Sequence, residues 1–252
     1  MKKLKIAISI DKELLDLVDS RVDGSTIRSR SQAIEYFLAK GIGEFAVDVA
    51  VLLLSRRHHS IALKEFKGQS LIRHQLSFLA SNNITNIFLV TQHSNLVEKI
   101  EQEANKEKVN FRVIEKEAKG NSQALKAAAD KLKNKTFIVM SGDIYNDFNI
   151  KQMIKKHNES NKLMTMGLMT RDKPSEYGSA ILDGDLVIDF REKSEKKETH
   201  VVNAGIYIFK PEIFEFIEDN VISLERDLFP KIARIKQLVG FFTHGEYVHL
   251  GE

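Results

Sequence analysis

Apolar residues alternate strictly near the start of the chain: Ile6, Ile8 and Ile10 fall on one face, Lys5, Ala7 and Ser9 on the other. A period of two predicts one short strand over residues 5–10. Asp11 then offers an N-cap, and Leu14, Leu15, Leu17, Val18 and Val22 recur at helical spacing. Asp23-Gly24-Ser25-Thr26 breaks that helix. A second helix opens at Ser29, which stands in capping-box spacing to Gln32. Ala33, Ile34, Phe37 and Leu38 form its apolar face and Gly41 its stop. One strand and two short helices cannot cover their own apolar faces, so this pattern predicts pairing with a second copy.

Beyond the Gly41–Gly43 hinge the pattern changes to alternating strand and helix. Strands are predicted at 46–55, 86–91, 110–116 and 136–143, and amphipathic helices at 68–83, 96–106 and 122–133. Such alternation implies right-handed crossovers and a mainly parallel sheet covered on both faces. The expected fold class is α/β, with a small N-terminal module over 1–42 and a larger α/β/α domain over 46–252. Ligands in such sheets bind beyond the carboxyl ends of the strands, which places "SRRHHS" (55–60), "EKEAKGN" (115–121) and "SGDIYND" (141–147) on one rim.

Composition narrows the chemistry. Hydrophobic residues make up 42% of the 252 and charged residues 29%, with three prolines, as in a soluble globular protein. The absence of cysteine removes disulfides and thiol catalysis and fits a reducing cytoplasm. A net charge of +3 permits nucleic-acid binding without arguing for it. No segment approaches the length of an apolar spanning helix, so no membrane partner is expected.

The strand-helix-helix pattern, with "RSQAI" opening the second helix, resembles the ribbon-helix-helix family of DNA-binding proteins across residues 3–42. The resemblance implies a homodimer on double-stranded DNA, with tandem dimers extending the site. By position, Lys5, Ala7 and Ser9 would enter the major groove. Ser29, Arg30 and Ser31 would meet a phosphate at the helix start, and Lys3 and Arg28 would add phosphate contacts.

The rest of the chain resembles the nucleotidyltransferases that join a sugar phosphate to a nucleotide, the glycosyltransferase-A-like pyrophosphorylases. Six stretches carry the likeness in order: 67–91, "KGNSQALKAAADKL", 137–157, "SEYGSAILDGDLVIDFREKSE", "NAGIYIFKPEIFEFI" and "SLERDLFPKI". The resemblance implies that Asp143 of "SGD" holds a divalent cation such as magnesium. It implies that Gly120 and Gln123 border the base, and that Gly178, Glu192, Lys193 and Asn203 line a sugar pocket.

Three elements of that family's pattern are altered. Its Gly-rich phosphate loop is replaced by the glycine-free "SRRHHS", its leading lysine by Ile61, and its second metal-binding aspartate by His249. The expectation drawn from these changes is a DNA-binding transcription regulator. Its catalytically degenerate domain would sense a nucleotide, sugar nucleotide or sugar phosphate, or serve dimerisation, with Arg56 and Arg57 gripping an anion. The alternative is an active sugar-1-phosphate nucleotidyltransferase with an accessory N-terminal module.

Overall fold

The computed structural model describes residues 6–24, 27–45, 47–195, 198–242 and 245–251. The chain divides into two compact units, Met1–Ala46 and Val47–Glu252.

In the first unit, residues 6–10 belong to no sheet or helix. Strand structure needs a ladder partner, and the single chain supplies none among the described residues. Helix α1 (Lys12–Asp19) starts where Asp11 Oδ1 accepts the N–H groups of Glu13 and Leu14, at 2.9 and 3.2 Å. Helix α2 (Arg30–Phe45) begins after Ser29, whose Oγ accepts the Gln32 N–H at 3.3 Å. The Gln32 side chain reaches back to the Arg28 N–H at 2.9 Å, one residue earlier than a standard capping box. The expected stop at Gly41 is corrected: α2 runs through Gly41 and Gly43 to Phe45. A glycine inside a helix costs only about 1 kcal/mol, too little to end a helix by itself.

In the second unit, α3 (His59–Ala62) follows β1 (Val49–Leu53) and a 3-10 turn at Arg56–His58. The hairpin β2 (Glu65–Phe66) and β3 (Gln69–Ser70) leads into α4 (Leu71–Ser81) and β4 (Asn86–Thr91). Next come α5 (Val97–Ala104), β5 (Asn110–Glu115), α6 (Asn121–Lys126), β6 (Phe137–Ser141) and β7 (Ile144–Asn146). Helix α7 (Ile150–Ser160) is followed by β8 (Met164–Thr170), β9 (Gly178–Asp183), β10 (Leu186–Glu192) and β11 (Val201–Phe209). The unit closes with α8 (Phe229–Arg234), β12 (Leu238–Phe242) and β13 (Tyr247–His249).

Among the described residues the main sheet runs β5-β4-β1-β6-β11-β8-β12-β10-β9. The half from β5 to β6 is parallel, as the alternating pattern predicts. Beyond β6 the sheet is mixed, since β11 lies antiparallel to β6 and β8, and β10 antiparallel to β12 and β9. Alternate residues of β1 feed two cores, Val49 and Val51 on one face, Ala50 and Leu52 on the other. A strand buried on both faces reads as a continuous apolar run. That is why Val49–Leu54 shows no alternation.

Candidate functional site

A cleft of about 670 Å³ opens beyond the carboxyl ends of β1, β4, β5 and β6 and continues over β9, β10 and β11. Arg57, Gly120, Asp143, Gly178, Glu192, Lys193 and Asn203, singled out in the sequence, all line it. Two expected residues do not. Arg56 turns its guanidinium to Glu117 at 2.5 Å, and Gln123 donates to the Asp219 carbonyl at 2.7 Å. Both side chains are held by protein partners, so they are corrected from ligand contacts to tethers of the flanking loops.

The "SRRHHS" corner is pinned from behind. Arg56 N–H donates to Gln92 Oε1 at 2.7 Å, and His58 N–H to the Ser55 carbonyl at 2.9 Å. These two backbone donors are therefore consumed internally, and the corner presents side chains to the cleft. His59 is fully buried and makes the anchor. Thr91 Oγ1 donates to the Leu54 carbonyl at 2.6 Å, so it accepts from His59 Nε2–H at 2.5 Å. That leaves His59 Nδ1 to accept from Ser94 Oγ at 2.6 Å. Burial, then the Arg56 charge, lowers the pKa of His59, in keeping with a neutral ring.

Asp143 follows β6 on the floor of the cleft, where the β7–β13 pairing brings His249 beside it. His58 Nδ1 and His249 Nε2 approach the same carboxylate oxygen, Oδ2, at 2.8 and 3.3 Å. The Asp143 carbonyl accepts the Leu250 N–H at 3.0 Å. Burial would raise the Asp143 pKa, but the His249 hydrogen bond and the two imidazoles together bring it below the ordinary carboxylate value. Among the described residues no three His, Asp or Glu side chains form a ready-made metal cage. Magnesium seldom uses one: it typically takes one or two carboxylates together with phosphate oxygens and water. An ionised Asp143 in a cleft fits a cation that arrives with a phosphate chain.

On the far side, β11 bulges between Asn203 and Tyr207, with Gly205 at φ +67°. Asn203 spans the bulge: its Oδ1 accepts the Gly205 N–H at 2.9 Å and its Nδ2 donates to Tyr207 Oη at 2.7 Å. One Nδ2 hydrogen remains for a ligand. Gly178 is required by close packing, because a Cβ there would lie 2.4 Å from Phe190 Cζ and 2.7 Å from Glu192 Oε2. Gly120 packs against the Ile222 carbonyl in the same way, at 2.4 Å.

The cleft also takes in residues to which the sequence assigned no role: Lys116, Lys119, Tyr177, Tyr207, Glu225, Arg226 and Tyr247. Lys116 and Lys119 sit in "EKEAKGN", a loop already placed on the rim by the strand-end rule. Glu225 and Arg226 fall in "SLERDLFPKI", which carried the family likeness without an assigned contact.

The DNA-contact set fares differently. Arg30 is locked to Asp19 by two bonds, Nε to Oδ1 at 2.7 Å and Nη2 to Oδ2 at 2.6 Å, so it clamps α2 to α1. Ser29 is spent as a helix cap, whereas Ala7, Ser9, Arg28 and Ser31 are exposed. Lys3 and Lys5 lie outside the described residues.

Residues 53–240 match the family model described as nucleotidyl transferase. Among curated proteins, a mannose-1-phosphate guanyltransferase of Saccharomyces cerevisiae is 30% identical over 198 residues, covering 75% of this chain and 55% of that protein. The catalytic subunit beta of mannose-1-phosphate guanylyltransferase from Drosophila pseudoobscura pseudoobscura is also 30% identical, covering 75% and 53%. The chain thus spans about half the length of the curated relatives it matches. Among solved structures, UDP-glucose pyrophosphorylase from Acinetobacter baumanii superposes with a TM-score of 0.68 at 14% identity, covering 82% of this chain and 90% of that one. HddC from Yersinia pseudotuberculosis gives 0.66 at 22% identity, covering 81% and 94%. These likenesses favour an enzymatic role and overturn the expectation of a DNA-binding transcription regulator with a degenerate domain. The altered phosphate corner stands within a cleft whose family match and relatives are those of enzymes. The chain belongs to the nucleotidyl transferase family.

Proposed function

We propose that this chain transfers a nucleotidyl group to a sugar 1-phosphate, releasing pyrophosphate. The observation that carries the reading is Asp143, held ionised by His58 and His249 on the floor of a cleft at the strand ends. In the reaction, an oxygen of the sugar phosphate attacks the α-phosphorus of a nucleoside triphosphate, and the bond to the β-phosphate oxygen breaks. Negative charge accumulates on the phosphate chain, and fixed cations facing it supply the stabilisation.

Arg57, Lys116 and Lys119 line the cleft. Their side chains take over the phosphate-holding role that backbone N–H groups would serve in a Gly-rich loop. Gly120 borders the base. Lys193 and Arg226 hold the sugar phosphate, and Asn203 and Glu192 the sugar. Asp143 would hold magnesium carried in with the triphosphate, which would add charge neutralisation at the reacting phosphates.

The names of the curated relatives favour a hexose 1-phosphate with GTP as the first pair to try. The test is pyrophosphate release from the purified chain across a panel of triphosphates and sugar 1-phosphates with magnesium. Release with at least one pair, lost in Asp143→Asn, is expected. No release from any pair would contradict the proposal.

A further inference from the structure

Lys67 stands at the tip of the β2–β3 hairpin, where it and Gly68 take left-handed φ values of +47° and +84°. A two-residue turn of this kind joins its strands tightly and fixes where its side chains project. The Lys67 ammonium sits over the rings of Phe66 and Tyr145, 5.3 and 5.0 Å from their centroids, and pairs with the Glu246 carboxylate. His74 of α4 completes the cluster: its ring lies 5.8 and 5.3 Å from those of Phe66 and Tyr145, and its Nε2 is 2.5 Å from the Phe66 carbonyl oxygen. The ammonium therefore rests on a built platform, whereas a typical exposed ion pair must immobilise two free side chains.

Glu246 is the residue before β13. Its N–H donates to Asp147 Oδ1, and its carbonyl accepts the Asp147 N–H at 3.3 Å. Strand β13 has three residues and pairs with β7, outside the main sheet. A two-stranded ribbon that short has little stability of its own, so it depends on its side-chain moorings. Arg171, 5.0 Å from the Tyr247 ring centroid, supplies another. The far end of β13 delivers His249 to Asp143.

We propose that Lys67 is a positioning residue: by fastening Glu246 it keeps β13 paired with β7 and His249 against Asp143. The inference rests on Asp143 being the cation and phosphate site of the cleft. It adds to that site a residue from a hairpin that does not itself line the cleft. When the latch opens, β13 leaves β7, and the imidazole and the Leu250 N–H leave Asp143 with it. A nucleotide that binds the latched arrangement is then weakened in proportion to the fraction of molecules that remain latched, and by reciprocity its binding protects β13.

The test is hydrogen–deuterium exchange of the full chain over residues 246–250, with and without magnesium and a nonhydrolysable GTP analogue, beside calorimetric binding of that analogue. Lys67→Met keeps the stem over the rings and removes the charge, and Glu246→Gln removes its partner. Both side chains are exposed, so neither change touches the core. Each variant should speed exchange over 246–250 about three-fold, the double variant should be no faster than either, and Lys67→Arg should keep the native rate. Exchange in β1, β4 and β6 should stay native, which separates a local latch from general destabilisation. Magnesium with the analogue should slow exchange over 246–250 in native protein, and both single variants should bind the analogue more weakly, by up to the same factor. Unchanged exchange in both single variants, or effects that add in the double variant, overturns the latch. Faster exchange with native binding of the analogue overturns the positioning role. Failure of native protein to bind the analogue overturns the nucleotide-site reading beneath it, while exchange without ligand still decides the latch, so the two failures are distinguishable.

Discussion

His157, on α7, is fully buried with Nδ1 2.9 Å from Thr165 Oγ1, and its Nε2 is buried without a hydrogen-bond partner. Burial first, and then the charge of Lys210, lower its pKa from 6.5 to about 4. Because the folded value lies below the unfolded one, acid favours the unfolded chain. The stability held above pH 6.5 is lost as pH falls toward about 4, and the shift corresponds to about 3 kcal/mol in full. Urea titrations at pH 7 and pH 4.5 should show this loss, and His157→Asn should flatten it; an unchanged pH slope in the variant would contradict the assignment. Gly178→Ala should cost about 1–3 kcal/mol, since its methyl group would meet the Phe190 ring, and it should weaken sugar-phosphate binding by displacing Glu192. A melting curve and a titration with glucose 1-phosphate check both parts. That residues 178 and 192 line one cleft was legible through the family motif. The role of His157 was not, because a lone histidine on an amphipathic helix gives no sign of whether a buried threonine will meet it.

Helix α2 shows how a residue-level stop signal can be overruled. Gly41 lies inside the helix, and nothing would come within 4 Å of a Cβ placed there. Gly41→Ala should therefore stabilise the first unit by about 0.5–1 kcal/mol, readable as slower amide exchange over residues 30–45. Faster exchange would show that the helix needs the glycine. The alternation of Ile6, Ile8 and Ile10 was legible, but a strand is a relation between two segments, and one chain displays only half of it. Ile6 and Ile8 are 75% and 55% exposed, and Leu14, Leu17 and Leu38 are 52%, 64% and 52% exposed. Such apolar exposure in one small unit supports a dimerising role for residues 1–42. Light scattering should give a dimer for the native chain and a monomer for Ile6→Asp with Ile8→Asp, whereas a native monomer would refute that role.

At the scale of the molecule, the parallel half of the sheet was legible because each buried strand and covering helix has its own period. The mixed half was not, since β8 to β11 follow one another without the regular helices that announce crossovers. Of the cleft, the strand-end loops and most of the lining from β9 to β11 were readable from spacing and likeness. The destinations of Arg56 and Gln123 were not, because a side chain's choice between a ligand and a neighbouring carboxylate or carbonyl depends on loops far apart in sequence. The three altered family elements were read as loss of catalysis. The structure sets two imidazoles against Asp143 and cationic side chains along the same cleft, and the curated relatives are transferases. Phosphorus NMR of the chain with GTP, a hexose 1-phosphate and magnesium tests the central claim most directly. The account predicts growth of a sugar-nucleotide diphosphate signal together with pyrophosphate, slowed on the order of a hundred-fold or more by Asp143→Asn in a folded protein. Spectra unchanged across the substrate panel, or formed equally fast by Asp143→Asn, would contradict it.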